Sequence, residues 1–440
     1  MKTYEEALAF IHGRTKFKKI PTLDRMNRFL ELLGNPHQKI QAIHIAGTNG
    51  KGSTLTYLRN IMQADGYSVG TYTSPFLIKF NERISVDGQP IADEEILRLA
   101  NLVKPVVDQL DDTLPEGGPT EFEIITAMMF SYFAEGHADI VLVEVGLGGL
   151  YDSTNVVTPL ASAITSIGYD HMQILGNTLS EIAAQKAGII KPSVPVVVGK
   201  LENDPFEVIA KTAANHDSQL FTLGKEFDVS TPKVENWQQS FEYSGFNTDI
   251  QLTSQLLGDY QAQNAAIAIS LYFVYCKLLK KKAAISSVLK GVANAQWAGR
   301  FERISTNPTI VIDGAHNVPA AKQLTTLLNN SYSKGKIYMI IAVLADKQAQ
   351  EIVSEMAQVK NAEITLTTFQ TPMNRKLFDA NLVEKQEANK KVAVTYQPDF
   401  KSAITKAEEK MNSDDLLLVT GSLYFISEVR AYLLKYHEQI

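Results

Sequence analysis

The sequence has little cysteine and no excess of basic residues. Cys276 is the single cysteine among 440 residues, which excludes a disulfide within the chain and gives no sign of an oxidising compartment. Lys and Arg number 42 against 48 Asp and Glu, for a formal net charge of −6. This balance argues against binding nucleic acid through overall charge. Any site for phosphate groups must therefore be built locally.

Long apolar runs are also missing. The longest run, Ala265–Cys276, is well short of the ~20 residues that a membrane helix needs. The N-terminal residues Met1–Glu6 contain no apolar core of the signal-peptide kind. We therefore expect a cytoplasmic protein with no membrane partner. The lysines that follow the run, Lys277 and Lys280–Lys282, are interpreted as a solvated helix end.

Short apolar runs alternate with segments of helical length, which is typical of an α/β fold with parallel strands buried on both faces. The length of the chain favours two domains. We expect a first domain over residues 1–296, a linker over 297–300 and a second domain over 301–440. Predicted strands lie near 42–45, 140–145, 163–167 and 194–198, then near 310–312, 339–343, 364–367, 392–395 and 416–419.

The most informative segment runs from His44 to Thr54 and places glycines, a lysine and the adjacent hydroxyls of Ser53 and Thr54 between a strand pattern and a helix pattern. The helix is predicted to start near Ser53, because apolar residues follow at spacings of three and four: Leu55, Leu58, Ile61 and Met62. The glycines allow backbone N–H groups to turn toward an anion, and the helix N-terminus adds its positive dipole end. Lys51 is expected to reach terminal phosphates, and Ser53 or Thr54 to bind Mg²⁺. The spacing departs from the strict Walker pattern, because Gly52 separates Lys51 from Ser53. The segment is therefore predicted to be a shortened P-loop.

A carboxylate, Glu144, ends an otherwise apolar strand pattern, and burying it requires a compensating cation. Mg²⁺ and a buried arginine are the two alternatives. His171 follows another predicted strand and fits either a solvated histidine or a ligand. Lys186 lies in an apolar setting and is either a surface lysine or, if buried, an amine with a depressed pKa that could form a carbamate with carbon dioxide.

The second half of the chain carries its own polar residues near a predicted strand. Asp313 and His316 follow the strand near 310–312, and Arg300 precedes it at the expected domain junction. Parallel sheets bind ligands at the carboxyl ends of their strands. Asp346 and the segment Thr420–Ser422 follow two other predicted strands. We expect a nucleotide site that uses Arg300 and Asp313 together with the P-loop.

Taken together, these motifs resemble the folylpolyglutamate synthases, ATP-dependent amide-forming enzymes of the Mur-ligase-like family. The resemblance covers most of the chain. Its most specific segments are 47–53, 73–76, 80–84, 144–149, 152–155, 186–189, 313–317 and 420–422. The fold it implies has an N-terminal P-loop ATPase-like domain with a mainly parallel sheet and a smaller, doubly wound Rossmann-like C-terminal domain.

The resemblance also implies a role for each matching residue. ATP would lie between the two domains. The implied nucleotide contacts are Asn49, Gly50, Lys51, Gly52, Ser53, Asn264, Arg300 and Asp313. Two Mg²⁺ ions would be held by Ser53, Ser74, Glu144, His171 and a carbamylated Lys186. The folate would meet Phe76, Arg83, Asp152 and Ser153. Lys51, His171, Lys186 and His316 would take part in catalysis, with His316 in the motif associated with the incoming glutamate.

Three positions depart from the family pattern. Leu150 stands where many relatives carry arginine, and Ala298 replaces the usual proline before Gly299. The loop Ala345–Gln348 differs at both ends from the usual Gly-Asp-Lys-Asp. We expect the Leu150 position to lack a charge contact and the segment around Ala298 to be looser.

The expected reaction is ATP-dependent addition of L-glutamate to the glutamate carboxylate of a reduced folate, through an acyl phosphate. Two alternatives stay open: an enzyme that also makes dihydrofolate from dihydropteroate, and a nucleotide-dependent switch or binding module. We expect a monomer.

Overall fold

The computed structural model describes residues 1–15, 21–115, 117–345, 348–370, 376–379 and 392–437. The chain divides into two compact units, each built around its own sheet. Unit 1 comprises Met1–Ser230, Phe241–Thr253 and Gln263–Ala295, and unit 2 comprises Thr231–Ser240, Ser254–Ala262 and Gln296–Ile440. The expected domains were continuous, whereas unit 2 takes in two segments from the middle of the chain.

The strands before residue 296 are β1 (Ala42–Ala46), β2 (Val69–Tyr72), β3 (Ile84–Val86), β4 (Gln89–Pro90), β5 (Ile140–Glu144), β6 (Ala161–Ile164), β7 (Val196–Val198), β8 (Leu220–Thr222), β9 (Phe227–Val229), β10 (Lys233–Glu235), β11 (Gln238–Gly245) and β12 (Thr248–Ser254). The helices are α1 (Tyr4–His12), α2 (Asp24–Leu32), α3 (Lys51–Ala64), α4 (Asp93–Thr113), α5 (Glu121–Phe133), α6 (Met172–Leu175), α7 (Leu179–Ala187), α8 (Asn203–Asn215), α9 (Asp259–Leu278) and α10 (Ile285–Ala293).

The main sheet of unit 1 has the order β4-β3-β2-β5-β1-β6-β7-β8. Six neighbouring strands run parallel, in the order β2-β5-β1-β6-β7-β8, and β3 and β4 add an antiparallel edge beside β2. Strands β1, β5 and β6 are buried along their whole length, as their apolar runs predict. Ile45 pairs with both Glu144 and Ala163, so the carboxyl ends of these three strands meet at one edge.

Helix α3 follows β1 after the P-loop and begins at Lys51, close to the expected start at Ser53. The apolar residues that predicted the helix, Leu55, Leu58, Ile61 and Met62, are all fully buried. Burial of this face fixes the helix against the sheet, which directs its N-terminus to the edge where β1 ends.

After residue 296 the strands are β13 (Glu302–Thr306), β14 (Thr309–Asp313), β15 (Ile337–Ala342), β16 (Ala362–Thr368), β17 (Val394–Asp399) and β18 (Leu416–Gly421). The helices are α11 (Val318–Ser331), α12 (Ala349–Met356), α13 (Phe400–Glu408) and α14 (Leu423–His437). The sheet order is β13-β14-β18-β15-β16-β17, parallel except for β13. Asp313 pairs with Thr420 and Ala342 with Gly421, so polar residues gather at the carboxyl edge.

An aromatic cluster explains why residues 231–240 belong to unit 2. The Trp237 ring stacks on Phe301 at 6.2 Å and packs on Tyr332 at 5.3 Å, measured between ring centroids. The Arg303 guanidinium lies 4.6 Å from the Trp237 ring centre. These contacts contribute apolar burial and a cation–π interaction.

The α/β fold class is confirmed, and every predicted strand has a counterpart within a few residues. Sequence analysis missed β2, β8 and the antiparallel strands β3, β4 and β9–β13, because short or alternating strands give a weak signal. The strand expected at 163–167 ends at Ile164, so Thr165 and Ser166 lie in the following loop. Within the described ranges, we find no helix with the length and apolar content needed to cross a bilayer.

Candidate active site

The P-loop ends at a backbone position that readily accepts only glycine. Gly50 caps α3 in the left-handed region, with φ of +87°. A Cβ at this position would overlap the side-chain amide of Asn264 on α9. Asn264, which is expected to contact the nucleotide, therefore packs directly against the P-loop backbone and leaves no room for a larger residue at position 50.

The loop is held in place by the segment that follows β6. Thr48 N–H donates to Ser166 O at 2.9 Å, and Thr48 Oγ1 exchanges hydrogen bonds with Gly168 at 3.0 and 3.1 Å. Thr165 Oγ1 and Ser166 Oγ both donate to Asn49 O, at 2.6 and 2.9 Å. Hydrogen bonds of this density fix the loop conformation before any ligand arrives. Sequence analysis did not assign Thr165 and Ser166, although two hydroxyls directly after a buried strand are a usable signal.

Lys51 lies folded over the P-loop and beside Glu144. Its Nζ donates to Gly47 O at 3.1 Å and Thr48 O at 3.3 Å, and is 4.0 Å from Glu144 Oε1. Glu144 Oε2 also accepts the Ser74 N–H at 3.2 Å. The Glu144 side chain is 7% exposed, so its charge is compensated by a lysine in the structure. Lys51, Ser74 and Glu144 are thus brought together at one strand edge.

Lys186 is buried, which excludes the surface-lysine alternative. The residue is 3% exposed and lies in the last turn of α7. Burial, together with the nearby Lys51 charge, lowers the pKa of Lys186 to about 7, although the charges of Asp170 and Asp152 partly oppose the shift. A substantial fraction of this amine is therefore neutral near pH 7, which is the form that can react with carbon dioxide.

His171 is placed differently from the other expected metal ligands. Its side chain is 44% exposed, and its Nε2 lies 3.8 Å from Asp170 Oδ1. The backbone of His171 is left-handed, with φ of +50°, and its N–H donates to Asp170 at 2.9 Å. The structure therefore presents this imidazole at the surface of unit 1, just before α6.

The residues expected to meet the folate form an apolar and cationic cluster. Phe76 packs edge-on against Phe80 with ring centroids 6.0 Å apart, and the Arg83 guanidinium lies 5.3 Å from the Phe76 ring. Arg83 Nε and Nη1 are buried and have no hydrogen-bond partner in the described part of the chain. Glu82 organises the loop by accepting N–H groups from residues 77–79. Buried guanidinium N–H groups without an acceptor are costly, so these two nitrogens favour an anionic ligand.

Asp152 and Ser153 are buried at the start of a short 3₁₀ turn, Ser153–Val156. Asp152 Oδ2 accepts the Leu147 N–H at 2.8 Å, and Oδ1 accepts the Thr154 N–H at 3.0 Å. Asp152 therefore joins the glycine-rich segment after β5 to the 3₁₀ turn.

In unit 2, Asp313 is enclosed by its own loop. Its two oxygens accept the N–H groups of Phe301 and Ala315, each at 2.8 Å. Burial raises the pKa of Asp313 above its ordinary value, while the Arg300 charge and both backbone N–H groups oppose that shift. A Cβ at Gly314 would come within 2.6 Å of Arg300 Nη1. His316 Nδ1 lies 2.8 Å from Gly314 O, which places the imidazole beside the same loop.

The three departures are also placed by the structure where it describes them. Leu150 is 37% exposed, and its N–H donates to Gln185 O at 2.6 Å. Ala298 is exposed in the turn before β13, and Gln348 precedes α12. Asp346 lies outside the described residues.

Among the described residues, no group of three or more His, Cys, Asp and Glu side chains is arranged to hold a metal ion. Near Lys51 lie one carboxylate, Glu144, and two serines: Ser53 in the first turn of α3, and Ser74, whose N–H donates to Glu144. Mg²⁺ prefers such oxygen donors and is usually held by one or two carboxylates plus water and substrate phosphates. The donor set therefore fits Mg²⁺ delivered together with a nucleotide.

Comparison with known proteins agrees with this arrangement of residues. Residues 45–272 match the Mur ligase middle domain, and residues 299–423 match the Mur ligase glutamate ligase domain. A dihydrofolate synthase/folylpolyglutamate synthase of Bacillus subtilis is 41% identical over 97% of this chain and 98% of its own length. The chain belongs to the folylpolyglutamate synthase/dihydrofolate synthase family of Mur ligases. It is therefore an ATP-dependent acid–amino acid ligase, which favours the ligase over the nucleotide switch.

Other members of this family show how far the similarity extends. The folylpolyglutamate synthase of Lacticaseibacillus casei is 36% identical over 98% of this chain and 99% of its own length. A solved folylpolyglutamate synthase complex with AMPPCP and folate matches 98% of this chain and all of its own, at 34% identity and a TM-score of 0.85. The structure of the Mycobacterium tuberculosis folylpolyglutamate synthase complexed with ADP and AMPPCP matches 98% of this chain and 98% of its own, at 27% identity and a TM-score of 0.89.

Proposed function

We propose that this ligase joins L-glutamate to the glutamate carboxylate of a reduced folate in two steps. A carboxylate oxygen first attacks the γ-phosphorus of ATP and forms an acyl phosphate, with ADP as the leaving group. The free amine of glutamate then attacks the acyl carbon, loses a proton and displaces phosphate. Phosphorylation is needed because a carboxylate oxygen is a poor leaving group at neutral pH.

The position of Lys51 supports the first step most directly. Its Nζ lies over the loop carbonyls and 4.0 Å from Glu144, at the N-terminus of α3. A phosphate group at this N-terminus would meet the loop N–H groups and the lysine charge together. Charge neutralisation and alignment are the main contributions a protein makes to phosphoryl transfer. We assign Lys51 to the γ-phosphate, and Asn49, Gly50, Gly52 and Ser53 to the remaining phosphate contacts.

We propose that Glu144, Ser53 and Ser74 hold Mg²⁺ when nucleotide binds. The ion would offset negative charge on the phosphates. For a second ion, the proposed ligands are His171 and a carbamate on Lys186. In forming the carbamate, the neutral Lys186 amine makes a bond to the carbon of carbon dioxide and releases one proton to water. Intact-protein mass spectrometry under carbon dioxide tests this directly: an unmodified Lys186 would contradict the carbamate.

The folate is assigned to the cluster around Arg83. Within the described residues, Arg83 Nε and Nη1 are buried without acceptors beside Phe76, which suits an aromatic ligand that carries a carboxylate. Asp152 and Ser153 are proposed to contact the same ligand. In unit 2, we propose that Arg300 and Asp313 contact the nucleotide and that His316 contacts the incoming glutamate.

The decisive experiment is incubation with ATP, Mg²⁺ and glutamate, with either a reduced folate or dihydropteroate as acceptor. The proposal predicts a reduced folate one glutamate heavier, with ADP release that depends on both folate and glutamate. ADP release that ignores both substrates would contradict it.

Dihydropteroate is the second candidate acceptor, because the Bacillus subtilis relative carries both activities in its name. A product with the mass of dihydrofolate would add dihydrofolate synthase to the proposed function. Its absence would leave polyglutamylation alone. The cytoplasmic location and the monomeric state stay predictions.

A further inference from the structure

A series of side-chain hydrogen bonds links the core of unit 1 to the loop after β5. His44, in the middle of β1, is fully buried, and its Nε2 lies 2.8 Å from Thr154 Oγ1. Thr154 Oγ1 in turn lies 2.5 Å from Asp152 Oδ1. His44 is 110 positions from Thr154 in the sequence, and Thr154 is itself fully buried. A polar contact inside a core needs satisfied partners to be tolerated.

The direction of these hydrogen bonds follows from the donors available. Backbone N–H groups of Leu147 and Thr154 donate to the Asp152 oxygens, which stabilises the ionised form. A carboxylate only accepts, so the Thr154 hydroxyl must donate its single proton to Asp152. Thr154 Oγ1 can then only accept from His44. The imidazole is therefore the neutral tautomer with its proton on Nε2.

The other ring nitrogen agrees with this assignment. Among the residues that the structure describes, His44 Nδ1 is buried and has no hydrogen-bond partner, so a proton there would have no acceptor. Burial, together with the nearby Lys191 charge, lowers the pKa of His44 to about 3. His44 is thus a permanent neutral donor near neutral pH, unlike a histidine that titrates.

At its Asp152 end, this series of hydrogen bonds reaches groups that are assigned above to the reaction. Asp152 holds the Leu147 N–H in the segment that follows Glu144. In the same segment, a Cβ at Gly149 would lie 3.0 Å from Lys186 Cα, and Leu150 N–H donates to Gln185 O at 2.6 Å. The segment therefore touches the backbone of α7 around Lys186.

We propose that His44 is a positioning residue for ligation: by donating to Thr154 it holds the Asp152 carboxylate, and the segment 146–150 with it, in the arrangement that accepts the folate. This inference rests on the proposed function, in which Asp152 and Ser153 contact that ligand. His44 itself touches neither substrate nor phosphate in this assignment.

A matched pair of variants separates donation from packing. In His44→Gln, the side-chain Nε2 still carries N–H donors at a similar reach, whereas His44→Met has a similar volume and no donor. For His44→Met we expect the KM for the folate acceptor to rise about tenfold, as for loss of one charge-linked hydrogen bond, while the Kd for AMPPCP stays unchanged. His44→Gln should recover most of the acceptor affinity.

The partner residue gives a second comparison. Thr154→Val removes the hydroxyl, and Thr154→Ser keeps it. Thr154→Val should reproduce the effect of His44→Met, and the double variant should be no worse than either single one, because both break the same series of hydrogen bonds. Equal defects in His44→Gln and His44→Met, or additive effects in the double variant, would overturn the proposal.

A spectroscopic readout needs no activity. In a ¹⁵N–¹H correlation spectrum of histidine-labelled protein, the resonances lost in His44→Gln should show a neutral ring protonated on Nε2 throughout pH 5–8. Titration in this range, or a proton on Nδ1, would overturn the assignment. Should wild-type protein ligate no glutamate, the proposed function fails, while the spectrum still decides whether His44 is the donor.

Discussion

Glu144 and Asp313 occupy equivalent positions in two sheets, yet their surroundings differ. Each is the last residue of a buried parallel strand, and each is about 5% exposed. Asp313 is enclosed by backbone N–H groups of Phe301 and Ala315. Glu144 instead lies beside the charged Nζ of Lys51, 4.0 Å away. The same sequence pattern, an acid after an apolar strand, thus produces a loop anchor in unit 2 and a charged pair beside the P-loop in unit 1.

The largest expected effect comes from breaking the charged pair of unit 1. Lys51→Ala should lower kcat for glutamate addition about 10²–10³-fold, because a positive charge aimed at the γ-phosphate is lost. Product formation is measured by mass at saturating ATP. Lys211→Ala, an exposed lysine on α8, is the matched control and should behave as wild type. Full activity in Lys51→Ala would contradict the assignment of Lys51 to the γ-phosphate.

The buried amine of Lys186, in unit 1, should make the free energy of unfolding depend on pH. Because the pKa of Lys186 falls from 10.5 to about 7 on folding, the unfolded chain binds one more proton between these values. The free energy of unfolding should therefore rise with pH from 7 toward 10, by at most about 1.4 kcal/mol per pH unit from this group. Below pH 7 the amine is protonated in both the folded and the unfolded state, so this group no longer makes the free energy of unfolding rise with pH.

Urea unfolding followed by circular dichroism at pH 7.5 and 9, in buffer free of carbon dioxide, measures this slope. Lys186→Met should have a smaller slope than wild type, and Lys211→Met should keep the wild-type slope. If Lys186→Met and wild type share one slope, the buried amine does not titrate in this range.

The smallest effect concerns the loop anchor of unit 2. Asp313→Asn leaves one of its two backbone N–H groups without an acceptor, which should cost about 1–2 kcal/mol of unfolding free energy. Glu144→Gln should cost less, because its amide oxygen can still accept from Ser74. Trp237 and Trp297, the two tryptophans of the sequence, both lie in unit 2, so their fluorescence reports the unfolding of that unit.

The pH dependence at Asp313 has the opposite sign. Its raised pKa means that the folded state favours the protonated form more than the unfolded state does. The stabilising contribution is therefore complete below the ordinary aspartate pKa and is lost as pH rises through the folded value. Asp313→Asn should lack this dependence; an unchanged pH profile would show that the loop does not shift the carboxyl.

Much of the fold was predictable because its signals are local. Apolar runs such as 140–144 predict buried parallel strands, and the spacing of Leu55, Leu58 and Ile61 predicts α3. The segments 231–240 and 254–262 were not predictable as part of unit 2. Segment 231–240 is attached through Trp237, which meets Phe301 and Tyr332 far away in sequence. Segment 254–262 contributes Leu257 to the apolar core of unit 2.

The candidate site divides in the same way. The P-loop could be read directly, since its glycines, lysine and hydroxyls are consecutive. The hydroxyls of Thr165 and Ser166 were missed because their hydrogen bonds to Asn49 link positions more than 100 residues apart. Only folding shows which polar residues that follow different strands come into contact.

By itself, the sequence determined the α/β architecture, the shortened P-loop and the family, because each depends on consecutive residues. Tertiary structure alone decided that Lys186 is buried, that Lys51 meets Glu144 and that His44 reaches Asp152 through Thr154. Burial and charge compensation are properties of the space around a side chain, and that space is assembled from strands far apart in the chain.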